Sequence, residues 1–290
     1  MRSFADFEWK RFAGLLYTRT WETDLFNRAA QVGFYFSFSL FPLLFFLVNL
    51  IGIVLGTTDS LRDELFTYFS RVMPPSAYEL VRTTVNEIAV GSSGGKLALG
   101  LLITLWSASA GVDSVRTALN AVYKLPETRN WLKMKVQSLT LTFAMVLLIG
   151  SVVGIFFYGW RIAQAVFNAA GVPVSSALAL VSIQWVAVIL VLLFACELVF
   201  NLLPNFRKLE WIWITPGSVV AILLWIGMTS GFRLYLEFFD SYNRTYGSLG
   251  AVIILMLWLY LTSIALLAGG LINAVLNEIT VSRRRPKTSH

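Results

Sequence analysis

The side chains best equipped for chemistry in this sequence are few, and most stand next to long apolar runs. Asp113, Arg116 and Asn120 follow one another at i, i+3 and i+7, so on a helix they share a face. Glu197 and Asn201 stand at i and i+4, and Arg28 precedes the first apolar run. Joined at one end of a bundle, these six are candidates for a vestibule or gate that recognises a polar or anionic headgroup. Their structural alternative is a charge-paired plug, with Arg116 satisfying Asp113 and Arg28 satisfying Glu197. Arg233 and Glu237, again at i and i+4, are a candidate gate at the opposite end, or a local pair on a solvated helix end. One histidine, His290, and one cysteine, Cys196, leave no material for a zinc site, a disulfide framework or a histidine-centred triad. No catalytic residue, metal site or cofactor is therefore assigned. The run Gly91 to Lys96 ends in Gly-Gly-Lys but lacks the phosphate-loop spacing, so any pumping would need an ion gradient or a partner.

The elements that must hold these groups follow from composition. The 290 residues are 57% hydrophobic and 13% charged, against roughly 25% charge in soluble domains. Mean hydropathy is +0.70, and several uncharged runs exceed the ~18 residues of a membrane span. A charge at the bilayer centre costs roughly 2.5–3.5 kcal/mol on insertion scales, so spans are read between charges. The fold class expected is all-α and polytopic, with six transmembrane helices in residues 32–276: 32–56, 97–112 continuing as helix toward Tyr123, 136–160, 177–203, 211–232 and 248–276. Asn168, Gly171 and Pro173 predict a turn after the third. Residues 1–31 interleave Phe12, Leu15, Leu16 and Trp21 with Lys10, Arg11 and Arg19, as an amphipathic helix in the inner-leaflet interface does. Between the first two spans, 57–96 repeats apolar residues at helical spacing on either side of Pro74-Pro75, which predicts a helical hairpin on the outer face. Residues 277–290 form a basic tail.

Alternate segments carry five, five, two and four Lys or Arg on one side, and four, one and two on the other. Sixteen against seven places both termini in the cytoplasm by the positive-inside bias. The net charge of +7 is then topology, and the dispersed cations make no nucleic-acid stripe. The first apolar run reads as an uncleaved signal-anchor. Pro42 inside it removes a backbone donor and predicts a kink at the Phe38 carbonyl, with Ser37 and Ser39 near enough to re-satisfy part of the backbone and Asn49 adding an amide to the same helix. Gly150 and Gly154 make a G-x-x-x-G pair and Gly269-Gly270 a second close-approach face. Trp106, Trp185, Trp225 and Trp258 lie deep in the spans, where bundle packing is the expected role and lining a cavity for a lipid-like substrate the alternative.

Three stretches carry a resemblance. Residues 34–44 (FYFSFSLFPLL), 113–123 (DSVRTALNAVY) and 246–273, with Tyr246-Gly247-Ser248-Leu249-Gly250, Leu257-Trp258-Leu259-Tyr260 and Gly269 to Asn273, resemble the YihY/BrkB family of bacterial inner-membrane proteins over nearly the whole chain. The resemblance implies a six-span inner-membrane protein, linked in some members to virulence and suspected of transport, lipids included. Members have also been labelled ribonucleases, a label for which these scattered acidic residues supply no metal-binding group. The expected function is a transporter or flippase-like mover of a small or amphiphilic substrate; the alternative is a non-transporting scaffold for envelope assembly. Expected partners are membrane lipids and a second copy or an envelope protein, with no nucleic acid.

Overall fold

The computed structural model describes residues 9–55, 63, 66, 67, 70, 78, 82, 94–169, 177–206, 211–238 and 248–284. Seven helices have bounds among the described residues: α1 (Trp9–Glu22), α2 (Leu25–Leu55), α3 (Gly94–Val122), α4 (Trp131–Ala169), α5 (Ala177–Leu202), α6 (Pro216–Phe238) and α7 (Ser248–Arg284). No strand occurs among the described residues. Within these helices, Trp131–Ile155, Ser182–Leu202, Pro216–Leu236 and Val252–Thr280 are long and apolar enough to cross a membrane.

Several boundaries move from the sequence expectation. α4 runs through Asn168 to Ala169, so Asn168 does not end it; Gly171 and Pro173 lie outside the described residues. α6 starts at Pro216 rather than 211, because Thr215 is placed to cap it and proline suits the first helical position. α7 continues to Arg284, well past 276. Most of the 57–96 hairpin lies outside the described residues. Within it, Phe66 and Tyr78 meet edge to face at 6.3 Å, and Phe66 is buried.

α7 packs on α6 and α2, α2 on α3, and α4 on α3 and α5. The main core is Leu25, Ala29 and Val32 of α2, Val115, Leu119 and Val122 of α3, Phe200 of α5, Ala221 of α6, and Leu267, Leu271 and Val275 of α7. These residues gather toward one end of the bundle. Leu102, Ile103, Leu147, Leu190 and Leu223 point outward, as helices solvated by hydrocarbon require. Trp106 and Trp185 are 48% and 54% exposed, so the expected packing role fails for both: they stand on the outer surface.

Close helix contact uses glycine where expected at one site and not at another. A methyl at Gly217 would fall on the Gly269 carbonyl, and one at Gly269 on the Gly217 carbonyl, so α6 and α7 cross backbone to backbone. Gly154 has open space around it, so no described part of the chain uses that face of α4. Pro42 lies within α2, but Ser37 and Ser39 donate to the Gly33 and Tyr35 carbonyls, at 2.9 and 2.8 Å, and not to Phe38. A hydroxyl on a helix reaches back one turn, which explains the difference.

The ends of the bundle are tied together. Asp24 (φ 53°) and Lys124 (φ 54°) adopt the left-handed conformation that reverses the chain after α1 and α3. Arg19 of α1 then pairs with Glu278 of α7 at 2.6 Å, and Lys124 with Glu22 at 2.8 Å. The end of α1, the α3–α4 connection and the last turns of α7 thus share one side of the bundle.

Candidate functional site

Two polar networks occupy that same side. In the first, Arg116 lies one turn after Asp113 on α3 and donates to it at 2.8 Å, to Ser138 Oγ of α4 at 2.7 Å and to the Met134 carbonyl at 3.2 Å. Ser138 donates to the same Asp113 oxygen at 2.5 Å. Lys135 approaches the other Asp113 oxygen at 3.2 Å, donates to Ser109 at 2.6 Å, and stands 4.3 Å above the Trp106 ring. One carboxylate therefore sits between two cations from neighbouring helices.

The network continues through the α3–α4 connection. Arg116 Nε lies 3.7 Å from Glu127, which Arg129 clamps at 2.8 Å through both its Nε and Nη2. The Arg129 hydrogen bonds, first of all, hold the Glu127 carboxyl down at about 2, with help from the Asn120 amide. Arg129 also donates to the Leu203 carbonyl at 3.0 Å, and Gln137 donates to the Leu202 carbonyl, which ties α4 to the end of α5. Arg116, Arg129 and Lys135 outnumber Asp113 and Glu127 by one positive charge. In a medium of low dielectric that surplus favours an anionic group.

The second network has no cation among the described residues. Glu197 of α5 is fully buried. It accepts from the Thr215 backbone N–H at 2.6 Å, the Thr215 hydroxyl at 2.9 Å and Asn201 Nδ2 at 3.0 Å. Thr215 is the residue before α6, so Glu197 serves as a capping anion at the positive end of that helix. Asn273 of α7 completes the arrangement. Its amide donates to the Thr215 hydroxyl at 2.9 Å and its carbonyl accepts the Gly217 N–H at 2.8 Å, just where the two glycines let α6 and α7 touch.

The six inner candidates are thus not one cluster. Asp113 and Arg116 pair as the spacing suggests. Asn120 turns away to Glu127, at 2.9 Å, and accepts the Asn205 N–H at 2.8 Å, which joins α3 to the segment after α5. Glu197 and Asn201 form their own set. Arg28 does not reach Glu197 and donates instead to the Thr23 carbonyl at 2.7 Å, a group freed by the chain reversal at Asp24. On the other side Arg233 is exposed, and the Glu237 side chain lies outside the described residues. Lys135, Ser138, Glu127, Arg129, Thr215 and Asn273 were not singled out from sequence. The Thr215-Pro216 pair carried a usable signal, a capping residue followed by proline.

Helices of this length and apolarity, with the buried charged and amide side chains among the described residues gathered toward their ends, define a multi-pass membrane protein. The chain matches the family model described as virulence factor BrkB over residues 16–290, and it belongs to that family. It is 32% identical to the ribonuclease-like protein YfkH of Bacillus subtilis (strain 168), over 87% of this chain and 90% of the relative. It is 27% identical to a UPF0761 membrane protein of Idiomarina loihiensis, over 79% of this chain and 78% of that one. A Stenotrophomonas maltophilia UPF0761 membrane protein is 25% identical, over 92% of this chain and 59% of its own length. No solved structure matches the chain.

Proposed function

We propose that this chain crosses the bacterial inner membrane six times, with α2 and α3 as the first two crossings and both termini in the cytoplasm, and moves a small or amphiphilic substrate, lipids included. The excess of Lys and Arg on the loops of one side supports the orientation. The observation that carries the transport reading is the Asp113–Arg116–Lys135 group with Glu127 and Arg129 behind it. Ionisable groups within membrane helices are costly, and this set keeps a surplus positive charge where an anionic headgroup can be recognised. The two networks hold the cytoplasmic ends of α3 to α7 together. Opening that end requires Arg129 to release the Leu203 carbonyl and Thr215 to part from Glu197, which frees Arg116 and Lys135 for the substrate. Reading the chain as a mover and not an enzyme rests on the same residues, whose partners are one another.

Purified protein in liposomes, tested with fluorescent lipid analogues and a panel of small anions, decides this. Flux above protein-free vesicles, lowered in a folded Lys135→Gln variant, is expected. No flux for any probe, with the protein shown folded and inserted, overturns the proposal.

A further inference from the structure

A cavity of about 370 Å³ opens beside the networks, between α1, the end of α3 and the last turns of α7. Its volume falls within the ~300–1,000 Å³ of small-molecule sites. The floor is apolar, made by Val122, Leu271, Ala274 and Val275. Tyr123 and Phe206 wall it, in edge-to-face contact at 5.1 Å. The rim is ionic: Arg19 and Lys124 supply two cations and Glu278 an anion, and Glu22, which does not itself line the cavity, contacts both cations and balances the charge. Arg19 and Glu278 meet at 2.6 Å, and Lys124 and Glu278 remain about half exposed, at 52% and 42% of their side chains. On the outer surface of α1, beside this rim, Tyr17 and Trp21 are 70% and 62% exposed and in ring contact, an aromatic ridge of the kind that settles at the headgroup level.

A purely anionic headgroup entering this rim gains the two cations but also meets the carboxylates paired with them. A headgroup that carries a phosphate and an ammonium matches both signs at once. The apolar floor, where Ala274 is partly open and Val122, Leu271 and Val275 lie almost fully buried beneath, gives glyceride a contact that a water-soluble amino-phosphate cannot use. We infer that this cavity is a binding site for a zwitterionic amino-phospholipid with a primary ammonium, its phosphate on Lys124 and Arg19, its ammonium on Glu278 and its glyceride on the Leu271–Val275 floor. The site rests on the bilayer reading and not on transport: a protein that moves nothing would still hold the lipid.

The test uses the purified full-length chain in detergent and native mass spectrometry with four probes: dioctanoyl phosphatidylethanolamine, dioctanoyl phosphatidylglycerol, dioctanoyl phosphatidylcholine and free phosphoethanolamine. Phosphatidylethanolamine is expected to bind about tenfold more tightly than phosphatidylglycerol, the scale of one charge-assisted hydrogen bond. Phosphatidylcholine, whose ammonium has no proton to donate, should fall between them or below. Glu278→Gln, at an exposed position, should erase the preference for the ethanolamine lipid. Ala274→Leu should weaken all three dioctanoyl lipids by filling the floor, with its melting temperature as the control for folding. Equal binding of the ethanolamine and glycerol lipids overturns the proposal, as does a preference unchanged in Glu278→Gln. Free phosphoethanolamine bound as tightly as its lipid would assign the site to a soluble amino-phosphate and overturn the lipid.

Discussion

Replacing Arg129 with Gln tests whether the α3–α4 connection is a bolt across the closed end of the bundle. Arg129 holds Glu127 at about 2 instead of 4.5, a gap worth about 3 kcal/mol of native stability at neutral pH if none of it were screened. Glu127 keeps 27% side-chain exposure, so screening trims this to about 2 kcal/mol. Loss of the bond to the Leu203 carbonyl adds about 1 kcal/mol. Because the folded value is depressed, the Glu127 contribution is fully present above the ordinary carboxylate value and disappears as pH falls from 4.5 toward 2. Arg129→Gln should therefore be about 3 kcal/mol less stable than the natural protein at pH 7, with the gap shrinking toward about 1 kcal/mol as acid titrates Glu127. Equilibrium unfolding in mixed detergent micelles, followed by tryptophan fluorescence from pH 7 to pH 3, reads both quantities. Glu127→Gln should remove the pH dependence, and the double variant should show about 2 kcal/mol of coupling. A gap that does not change between pH 7 and pH 3 would refute the role given to this pair.

The same reasoning extends to other positions. Glu197→Gln brings an amide donor into a site that offers only donors, so about 1–3 kcal/mol should be lost in the same unfolding assay. Gly217→Ala should abolish a stable bundle, since its methyl meets the α7 backbone, while Gly154→Ala should be neutral or gain up to about 1 kcal/mol; folded yield on size exclusion separates them. Arg28→Ala should cost about 1 kcal/mol or less in thermal melts, well below Arg116→Ala, which strands Asp113 between fewer donors. Purified protein should leave a labelled RNA intact at a concentration where a control nuclease degrades it.

The helices were legible in the sequence because long apolar runs must be helical in hydrocarbon: α5 begins and ends within a residue of the expected 177–203. The starts of α4 and α6 were not, because Trp131 and Pro216 enter helix on local capping geometry that an apolar window averages away. Spacing along one helix found the Asp113–Arg116 pair, which needs no knowledge of its neighbours. It could not find Lys135 or Ser138, whose place beside Asp113 depends on how α4 leans on α3. That Arg28 bonds the Thr23 carbonyl and not Glu197 is hidden for the same reason: spacing along the chain does not give distance across the bundle. The balanced rim of the cavity draws on α1, α3 and α7 together, segments more than a hundred residues apart, and nothing in their order announces it.

Cysteine accessibility tests the six-crossing arrangement most directly. On a Cys196→Ala background, single cysteines at Ser3, Ser92 and Ser289 are probed with a membrane-impermeant maleimide in cells with a permeabilised outer membrane and in inside-out vesicles. Positions 3 and 289 should label only in the vesicles and position 92 only in cells whose outer membrane has been permeabilised. Labelling of either terminus from the periplasmic face, or of position 92 from the cytoplasmic face, would contradict it.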